Sequence, residues 1–517
     1  MRSWVIGIAV TVFVMSCVFP IAHLFLDLLR GWQDAFGVMQ IDARQRRLLY
    51  TTTVLGVGTA VLATTIGAPL GVVLARVSLR RKTALRVALA VPVLIPPYVL
   101  GLAWVYLGNS GGLLSTLVGR DVPTGWTYSV PAAILVLGVV FYPLSMLATE
   151  VSLRRIDGRL EDAALMVASP GRVLRHITLP LAAPGVFAAA LLIFVLAVSE
   201  FGVPGLLRVR VYTTEVFTAF AALYDVPRAI ALTLPLLILS MAVATIAATL
   251  AGDRLVTTRR AHSPRTAWFE HPRGAGRVLA LTVIAFAVAL PIVILIREAA
   301  GVRSVATILG DSGGAIANSL ILAAIGATLV VSVAVWLGYA RSRAGRTGGL
   351  TDAVFVVLFA IPSTVVGVGL IGVWNMPGVL GNVYGTNVMF LFAYLARFLP
   401  VAALMLSASA RYVPVAHEEA AALSGASWIR TMARIVLPQM RLGLAATWVI
   451  VFVLAFGELG VSILVAPPGD ATLPIRIYTM IANAPSSNIA AFALLQTAVI
   501  LTGVLVLAVM ASVRKAL

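Results

Sequence analysis

The sequence predicts an all-α polytopic membrane protein of about twelve transmembrane helices, arranged as two parallel repeats of six helices each. Three observations support this fold class. The composition is strongly apolar, twelve apolar segments with at most one charged residue each are long enough to span a bilayer, and the second half of the chain repeats motifs of the first. Together they place the chain in a lipid bilayer.

The composition excludes a soluble enzyme. The 517 residues are 60% hydrophobic and 11% charged, with a mean hydropathy of +1.01, whereas soluble chains are nearer half apolar and a quarter charged. The net charge of +18 comes from basic residues in short scattered clusters, so no nucleic-acid partner is expected. The single cysteine, Cys17, allows neither an intrachain disulfide nor a cysteine metal site.

Apolar windows with at most one charged residue each define the predicted spanning helices. In the first half they lie at 4–26, 51–75, 87–108, 129–149, 181–206 and 229–251. In the second half they lie at 278–296, 315–340, 353–375, 387–409, 442–465 and 488–513. Three windows contain Pro96 with Pro97, Pro362 and Pro400, so we expect kinked helices there. The first window is long enough to span the bilayer and is therefore expected to be a helix, not a cleaved signal peptide.

The distribution of basic residues predicts the orientation. Twenty-six of the 38 Lys and Arg residues fall at the termini and in loops on one side, eleven fall in the opposite loops, and Arg397 lies inside a window. Cytoplasmic loops of membrane proteins collect Arg and Lys, so both termini are predicted to be cytoplasmic. The polar, basic segment 253–276 is expected to be a cytoplasmic linker between the halves 1–252 and 277–517.

The two halves repeat each other in one register. Leu196–Val203 matches Leu454–Val461 at an offset of 258 residues, and Glu161 matches Glu419 at the same offset. Pro143 and Pro400 differ by 257, so the loops vary slightly in length while the helices correspond. Because each repeat contains six spans, the two units are parallel and related by an axis along the membrane normal.

Two loops of about thirty residues, after the fourth and tenth windows, carry the strongest motif. The second loop reads Glu-Ala-Ala, three residues, Gly, nine residues and Ile-x-Leu-Pro. Its motif residues are Glu419, Ala420, Ala421, Gly425, Ile435, Leu437 and Pro438. The first loop keeps Glu161, Ala163, Ala164, Ile177, Leu179 and Pro180. It has Asp162 in place of the first Ala and Val167 in place of the Gly.

This pattern predicts a helix, a tight turn and a second helix. Gly425 can adopt a positive φ that ends the first helix without strain. Val167 disfavours that conformation, so we expect the first loop to bend elsewhere, at Ser169–Pro170–Gly171. The simpler alternative is that each loop is only an alanine-rich connector with high helix propensity.

The loops resemble the EAA loops of binding-protein-dependent ABC transporter permeases. The resemblance implies a permease core in spans two to six of each half, at 51–252 and 315–513. It implies that each loop couples the membrane helices to an ATP-hydrolysing subunit, with two ATPase copies and a periplasmic substrate-binding protein as partners. It also implies import across a bacterial inner membrane. No cofactor is expected in this chain, because ATP would be used by the partner.

Fusion of both halves in one chain, together with Glu200–Pro204 and Thr213–Phe217, resembles the ferric-iron transport permeases. Fused thiamine permeases are similar, and permeases for polyamines, phosphonates or oxyanions share the loops. These cargoes therefore stay open. A proton-coupled secondary transporter of two halves is the alternative from another class, although its titratable residues would be expected near the membrane midplane.

Three charged residues inside the windows are candidates for the translocation pathway. Glu200 and Glu458 occupy equivalent positions near the periplasmic end, where they would face each other or accept hydrogen bonds from backbone at a helix break. Arg397 needs a partner from another helix or a water-filled cavity. Arg208 and Arg210 could dock an acidic binding protein, although basic periplasmic loops are also ordinary.

Several signatures of catalysis are absent from the sequence. No Gly-x-x-x-x-Gly-Lys-Ser/Thr segment occurs around the two lysines, Lys82 and Lys515, so the chain is not expected to bind ATP in a P-loop. The five histidines form no i, i+4 pair and no acidic cluster offers a metal cage, so no metal site is expected. The chain is predicted to be a transport permease and not an enzyme.

Overall fold

The computed structural model describes residues 2–30, 43–78, 81–120, 124–255, 273–302, 305–345, 348–376 and 380–516. All regular elements within these residues are helices, which confirms the all-α fold class. Most of the predicted linker, residues 256–272, lies outside the described residues.

The first half contains eight principal helices. They are α1 (Ser3–Asp27), α2 (Ala43–Arg76), α3 (Lys82–Val93), α4 (Pro97–Val118), α5 (Val130–Arg154), α6 (Gly158–Leu165), α7 (Pro170–Ser199) and α8 (Val226–Ala247). The second half repeats the order. Its helices are α9 (Gly274–Ala299), α10 (Gly313–Ser342), α11 (Gly348–Ala360), α12 (Ser363–Trp374), α13 (Val388–Arg411), α14 (Val415–Leu423), α15 (Trp428–Phe456) and α16 (Ser486–Val506). Short helices follow α7 and α15, at Gly202–Leu206, Tyr212–Phe217, Ser462–Val465 and Leu473–Met480.

Ten of the helices in the described residues are long and apolar enough to cross a membrane. Two further candidates are bent pairs: α3 meets α4 at 83°, and α11 meets α12 at 91°. The kinks expected at Pro96–Pro97 and Pro362 are therefore full breaks between half-helices. Pro97 disfavours helical backbone at Pro96 before it, and a proline has no amide hydrogen with which to continue a helix. Both Pro96 and Pro362 are extended, with ψ of 134° and 141°, and each stands directly before the second half-helix of its pair. The helix containing Pro400, α13, continues without a break.

The parallel repeat is visible in the packing. In each half the second spanning helix packs closely along the fourth, α2 on α5 and α10 on α13. Gly71 and Gly338 allow this approach, because a Cβ at Gly71 would lie 2.6 Å from the Met146 carbonyl oxygen and one at Gly338 would lie 2.7 Å from the Ser407 amide nitrogen. In each pair, the backbones of the two helices are therefore in close contact at the glycine.

The halves also exchange outer helices. The first helix of the first half, α1, packs on α10, α12 and α13 of the second half, and α9 packs on α2, α3 and α4 of the first. The last helices, α8 and α16, likewise contact the bent pair of the opposite half. The two bent pairs therefore lie at the interface between the halves, surrounded by helices from both.

Candidate translocation and coupling sites

The first loop is held by a buried ion pair that the sequence did not indicate. Glu161 on α6 accepts from Arg76 at the end of α2, with 2.9 Å between Nη2 and Oε1, and from the Thr178 hydroxyl at 3.0 Å. Both charged side chains are nearly inaccessible, at 1% and 0% exposure. Arg76 also donates to the Leu153 carbonyl oxygen at 2.6 Å. A single carboxylate thus joins the end of α2, the loop helix α6 and the start of α7.

The rest of the first loop faces outward. Asp162 and Ala163 are exposed and Ala164 is half-buried. Met166 and Val167 expose 84% and 86% of their surface. In the following turn Ile177 is half-buried, and Leu179 and Pro180 are exposed. An apolar tip on an otherwise polar loop marks a surface suited to a protein partner.

The second loop is also anchored by an ion pair, but its carboxylate belongs to the residue before the predicted Glu419. On α14 it is Glu418 that pairs with Arg343 and accepts from the Tyr339 hydroxyl at 2.6 Å, while Glu419 is exposed. Arg343 also donates to the Val413 carbonyl oxygen at 3.0 Å. The structural counterpart of Glu161 is therefore Glu418, and the pairing of Glu161 with Glu419 from sequence was wrong by one residue.

The change of register has a local cause. Loop helix α6 has eight residues and α14 has nine, so the repeat runs at an offset of 257 residues through the loop helices and 258 after the turn. After that turn, Ser169 and Ser427 are equivalent and each precedes a new helical turn. The other motif residues of the second loop differ in how deeply they are buried. Ala421 is buried, Ile435 and Leu437 are half-buried, and Ala420, Gly425 and Pro438 are exposed.

The turns of the two loops differ as predicted. Gly425 has φ of +75°, and the amides of Gly425 and Ala426 donate to the carbonyl oxygens of Ala422 and Ala421, each at 3.0 Å. These two bonds are those of a Schellman cap, which satisfies the free carbonyl groups at the end of α14. No described residue of the first loop has a positive φ, and its chain turns through an extended Ser169 before Pro170. Both predictions about the turns are confirmed.

A cavity of about 370 Å³ lies between the halves, and all three pathway candidates line it. Its walls come from both bent pairs and from α5, α7, α13 and α15. The polar and breaking residues around it are Pro96, Pro97, Tyr98, Ser199, Glu200, Ser363, Arg397 and Glu458. The structure thus brings together Glu200, Glu458 and Arg397, which are far apart in sequence.

Glu200 and Glu458 stand at equivalent helix breaks. The Glu200 carboxylate accepts from the Gly202 amide at 2.9 Å, and that of Glu458 accepts from the Val461 amide at 3.0 Å. These bonds satisfy free amides at the start of the short helices that follow α7 and α15. The expected bonds to backbone at the helix breaks are therefore present, and each carboxylate also lines the cavity.

The hydrogen-bond partners of Arg397 are backbone carbonyl groups at the end of α11, next to the break between α11 and α12. Its Nη1 donates to the carbonyl oxygens of Phe359 at 2.9 Å and Ile361 at 2.5 Å. Its guanidinium also lies 5.4 Å from the centre of the Phe359 ring. A cation at the C-terminus of a half-helix satisfies its free carbonyl groups and complements its dipole. In the first half Tyr142 does a similar task, donating to the Leu89 carbonyl oxygen at 2.8 Å.

The sequence reasoning missed Arg76, Arg343 and Glu418. The two arginines were interpreted as part of the basic clusters that orient the chain, and nothing in their spacing distinguishes them from their neighbours. One signal was present: each follows the last apolar turn of the second span of its half. That position is the one that faces the loop helix after the fourth span.

Two parallel membrane-spanning halves, a cavity between them that three charged side chains line, and one helical loop at the same end of each define a transport permease. The chain belongs to the family of binding-protein-dependent transport system inner membrane components, whose profile matches residues 67–257 and 331–516. The two matches cover the two repeats, and the family name specifies a substrate-binding protein as a partner. The chain is therefore the membrane-spanning permease subunit of an ABC importer.

Transport permeases named for different cargoes are similar in sequence to this chain. The Fe(3+)-transport system permease protein FbpB 2 of Haemophilus influenzae is 23% identical over 477 residues, covering 87% of each chain. The putative ferric transport system permease protein FbpB 1 of the same organism is 24% identical over 471 residues, 85% of this chain and 74% of that protein. The molybdenum transport system permease protein ModB of Mycobacterium tuberculosis is 30% identical over 172 residues, 33% of this chain and 64% of that protein.

Proposed function

We propose that this permease imports ferric iron, driven by two copies of an ATPase subunit that bind the loops around α6 and α14. The observation that carries the proposal is the matched anchorage of both loops. Glu161 and Glu418 each tie a loop helix to an arginine at the end of a core helix. Movement of a loop helix by a partner would therefore be transmitted directly to α2 or α10. The chain itself would hydrolyse no ATP and bind no cofactor.

The proposed path runs between the halves through the cavity lined by Glu200, Glu458 and Arg397. Two equivalent carboxylates at the break beyond α7 and α15 provide hard oxygen ligands of the kind that trivalent iron prefers over soft donors. Arg397 would position the α11–α12 break and leave the carboxylates facing the cargo. Substitution of both carboxylates, Glu200→Gln with Glu458→Gln, should reduce uptake and leave ATPase binding intact. Unchanged uptake would assign the pair to structure alone.

Iron is favoured among the cargoes by the extent of the similarity. Both ferric relatives align along 85% or more of this chain and so match both halves, whereas the molybdenum relative aligns along 33%. Molybdenum and the other small solutes expected from the shared loops, including thiamine, polyamines and phosphonates, are the alternatives. A proton-driven carrier is disfavoured, because the family is defined by dependence on a binding protein.

The proposed orientation places the loops and both termini in the cytoplasm of a bacterial inner membrane. Counting the bent pairs as spans or as re-entrant segments gives twelve or ten crossings, and both numbers are even. The loops around α6 and α14 lie among the Arg-rich segments, as the charge asymmetry of membrane proteins requires.

The test is uptake by the reconstituted complex. The permease, its ATPase and its binding protein are placed in proteoliposomes, and the accumulation of radioactive iron, molybdate and 2-aminoethylphosphonate is compared. We expect iron uptake that requires ATP and the binding protein. Uptake of molybdate or the phosphonate in place of iron would overturn the cargo. Uptake that requires a proton gradient and no ATP would overturn the whole proposal.

A further inference from the structure

A basic cavity lies on the side of the protein opposite the coupling loops. It has a volume of about 810 Å³ and is formed by the start of α2, the start of α5 and the segment after the short helix Gly202–Leu206. Its charged lining residues are Arg44, Arg47, Arg208, Arg210 and Glu215. Four guanidinium groups and one carboxylate give these residues a formal excess of three positive charges.

The local backbone aims two of the arginines in one direction. Val209 and Val211 are 6% and 1% exposed, whereas Arg208 and Arg210 between and before them are exposed. The alternation of buried valines and exposed arginines places both arginine side chains on the exposed side of this segment, where both line the cavity. The Arg208 guanidinium lies 5.5 Å from the centre of the Tyr128 ring, which holds it at the wall.

Arg208 also has an unusual conformation. Its φ is +55°, a left-handed value that residues with a Cβ adopt rarely and that clusters at ligand sites. The Val209 amide donates to the Pro204 carbonyl oxygen at 2.9 Å and fixes this turn. The strain is therefore maintained by the same short helix that follows Glu200 at the break beyond α7.

Most of the positive charge is not neutralised by the protein. Glu215 pairs with Arg44 at 2.6 Å. Within the part of the chain that the structure describes, no carboxylate lies within ion-pair distance of Arg47, Arg208 or Arg210. These three guanidinium groups line a concave space whose volume is typical of small-molecule sites. Guanidinium stays charged at all physiological pH values and binds carboxylate or phosphate groups with paired hydrogen bonds.

A second cavity of about 410 Å³ adjoins the first and extends toward the helix break after α7. It shares Arg44, Arg208, Arg210 and Glu215 with the basic cavity and reaches Phe201, the residue after Glu200. A ligand held by the arginines would therefore sit directly outside the two carboxylates of the central cavity. A bare trivalent cation would be repelled from this position, whereas a cation already surrounded by anionic oxygen donors would be attracted.

We propose that the basic cavity binds a small multivalent oxyanion, free or as the chelating shell of the cargo, through Arg47, Arg208 and Arg210. That the shell belongs to the cargo rests on the proposed transport function, but the anion site itself does not. Concavity favours a small anion over the flatter acidic surface of a docking protein. The arginines would receive the anionic part of the complex, while Glu200 and Glu458 face the metal beyond it.

The probe is citrate, alone and as its ferric complex, in equilibrium binding to the full-length permease in nanodiscs. We expect both forms to bind saturably and more weakly as salt is added, because exposed charges are screened. Arg208→Gln with Arg210→Gln should weaken both affinities about tenfold or more, since each lost charge-assisted hydrogen bond is worth about that factor. Arg210→Lys, which keeps the charge, should recover part of the loss relative to Arg210→Gln.

The matched control is Arg120→Gln, an exposed arginine of the same face that does not line the cavity. Equal citrate binding by the double variant and this control would overturn the anion site. So would unchanged citrate binding with a loss of binding-protein-stimulated ATP hydrolysis, which would make the arginines a docking surface. Lack of iron uptake with intact citrate binding would overturn the proposed cargo and leave the anion site standing.

Discussion

The two helical loops around α6 and α14 are anchored to different degrees. In the first, Glu161 is fully buried against Arg76 and also binds Thr178 at the start of α7. In the second, the Glu418 and Arg343 side chains are 16% and 11% exposed, and within the described residues no hydrogen bond joins Glu418 to α15. The second loop instead gains order from the glycine cap of α14. The first loop is thus fixed at its base, and the second is fixed at its turn.

This difference teaches that the two halves keep the same Arg–Glu connection to the loop helix but stabilise the rest of the loop by different bonds. The ion pairs that involve the first helix of each bent pair, α3 or α11, have opposite polarity in the two halves. Arg86 on α3 pairs with Glu150 on α5 in the first half, whereas Asp352 on α11 pairs with Arg341 in the second. The bent pair thus carries the basic partner in the first half and the acidic partner in the second, where Asp352 also lies 3.5 Å from Arg411 on α13.

The largest expected effect comes from breaking the buried pair of the first loop. Glu161→Gln removes the buried negative charge that pairs with Arg76, which costs about 3–5 kcal/mol of stability. We expect a marked fall in the thermal unfolding temperature of the detergent-purified chain, together with loss of ATP-driven uptake. Replacing both partners by apolar residues, Glu161→Leu with Arg76→Met, should restore stability and leave uptake low. A single variant as stable as the parent would contradict the account.

A smaller effect is expected in the second loop, and it distinguishes the two adjacent glutamates. Glu418→Gln weakens the bonds to Arg343 and Tyr339, which should cost about 1–3 kcal/mol because the site is partly solvated. Glu419→Gln, at an exposed position, should leave the unfolding temperature unchanged. Thermal unfolding of both variants in parallel checks the register. A larger loss of stability in Glu419→Gln than in Glu418→Gln would show that Glu419, and not Glu418, is the equivalent of Glu161.

A smaller change still tests the turn. Gly425→Ala places a Cβ on a residue with φ of +75° and should destabilise α14 by about 1 kcal/mol. Val167→Gly in the first loop, where no positive φ is needed, gives no corresponding gain. Hydrogen exchange of the α14 amides measures the difference. Equal protection in the parent and Gly425→Ala would show that the cap does not hold the loop.

The smallest effect on stability is expected at the exposed tips. Val167→Ser and Leu423→Ser alter side chains that are 86% and 90% exposed, so each should change stability by less than about 0.5 kcal/mol. Their affinity for the ATPase subunit should nevertheless fall, because these apolar surfaces are available for a partner. Co-purification of the ATPase with each variant measures this. Undiminished binding by both would place the contact elsewhere on the loops.

Much of the architecture was predictable because hydropathy, charge and the internal repeat act over whole segments. The all-α fold, the spanning segments, the positive φ of Gly425 and the bend at Ser169 all follow from such signals. The half-helix breaks appeared only as kinks, since hydropathy runs continuously across Pro362. The partners of Arg397 are backbone carbonyl oxygens, which leave no mark in the sequence. Tandem glutamates at 418 and 419 likewise gave no criterion for choosing between them.

The most direct test of the coupling claim is site-specific crosslinking to the ATPase. Cys17 is the single cysteine, so Cys17→Ser provides a background in which Val167→Cys and Leu423→Cys can each carry a crosslinker. In membranes containing the whole transporter, we expect both positions to crosslink to an ATPase subunit, with yields that change when ATP is added. Absence of crosslinks at both loops in an assembled, ATP-hydrolysing complex would contradict their role in coupling.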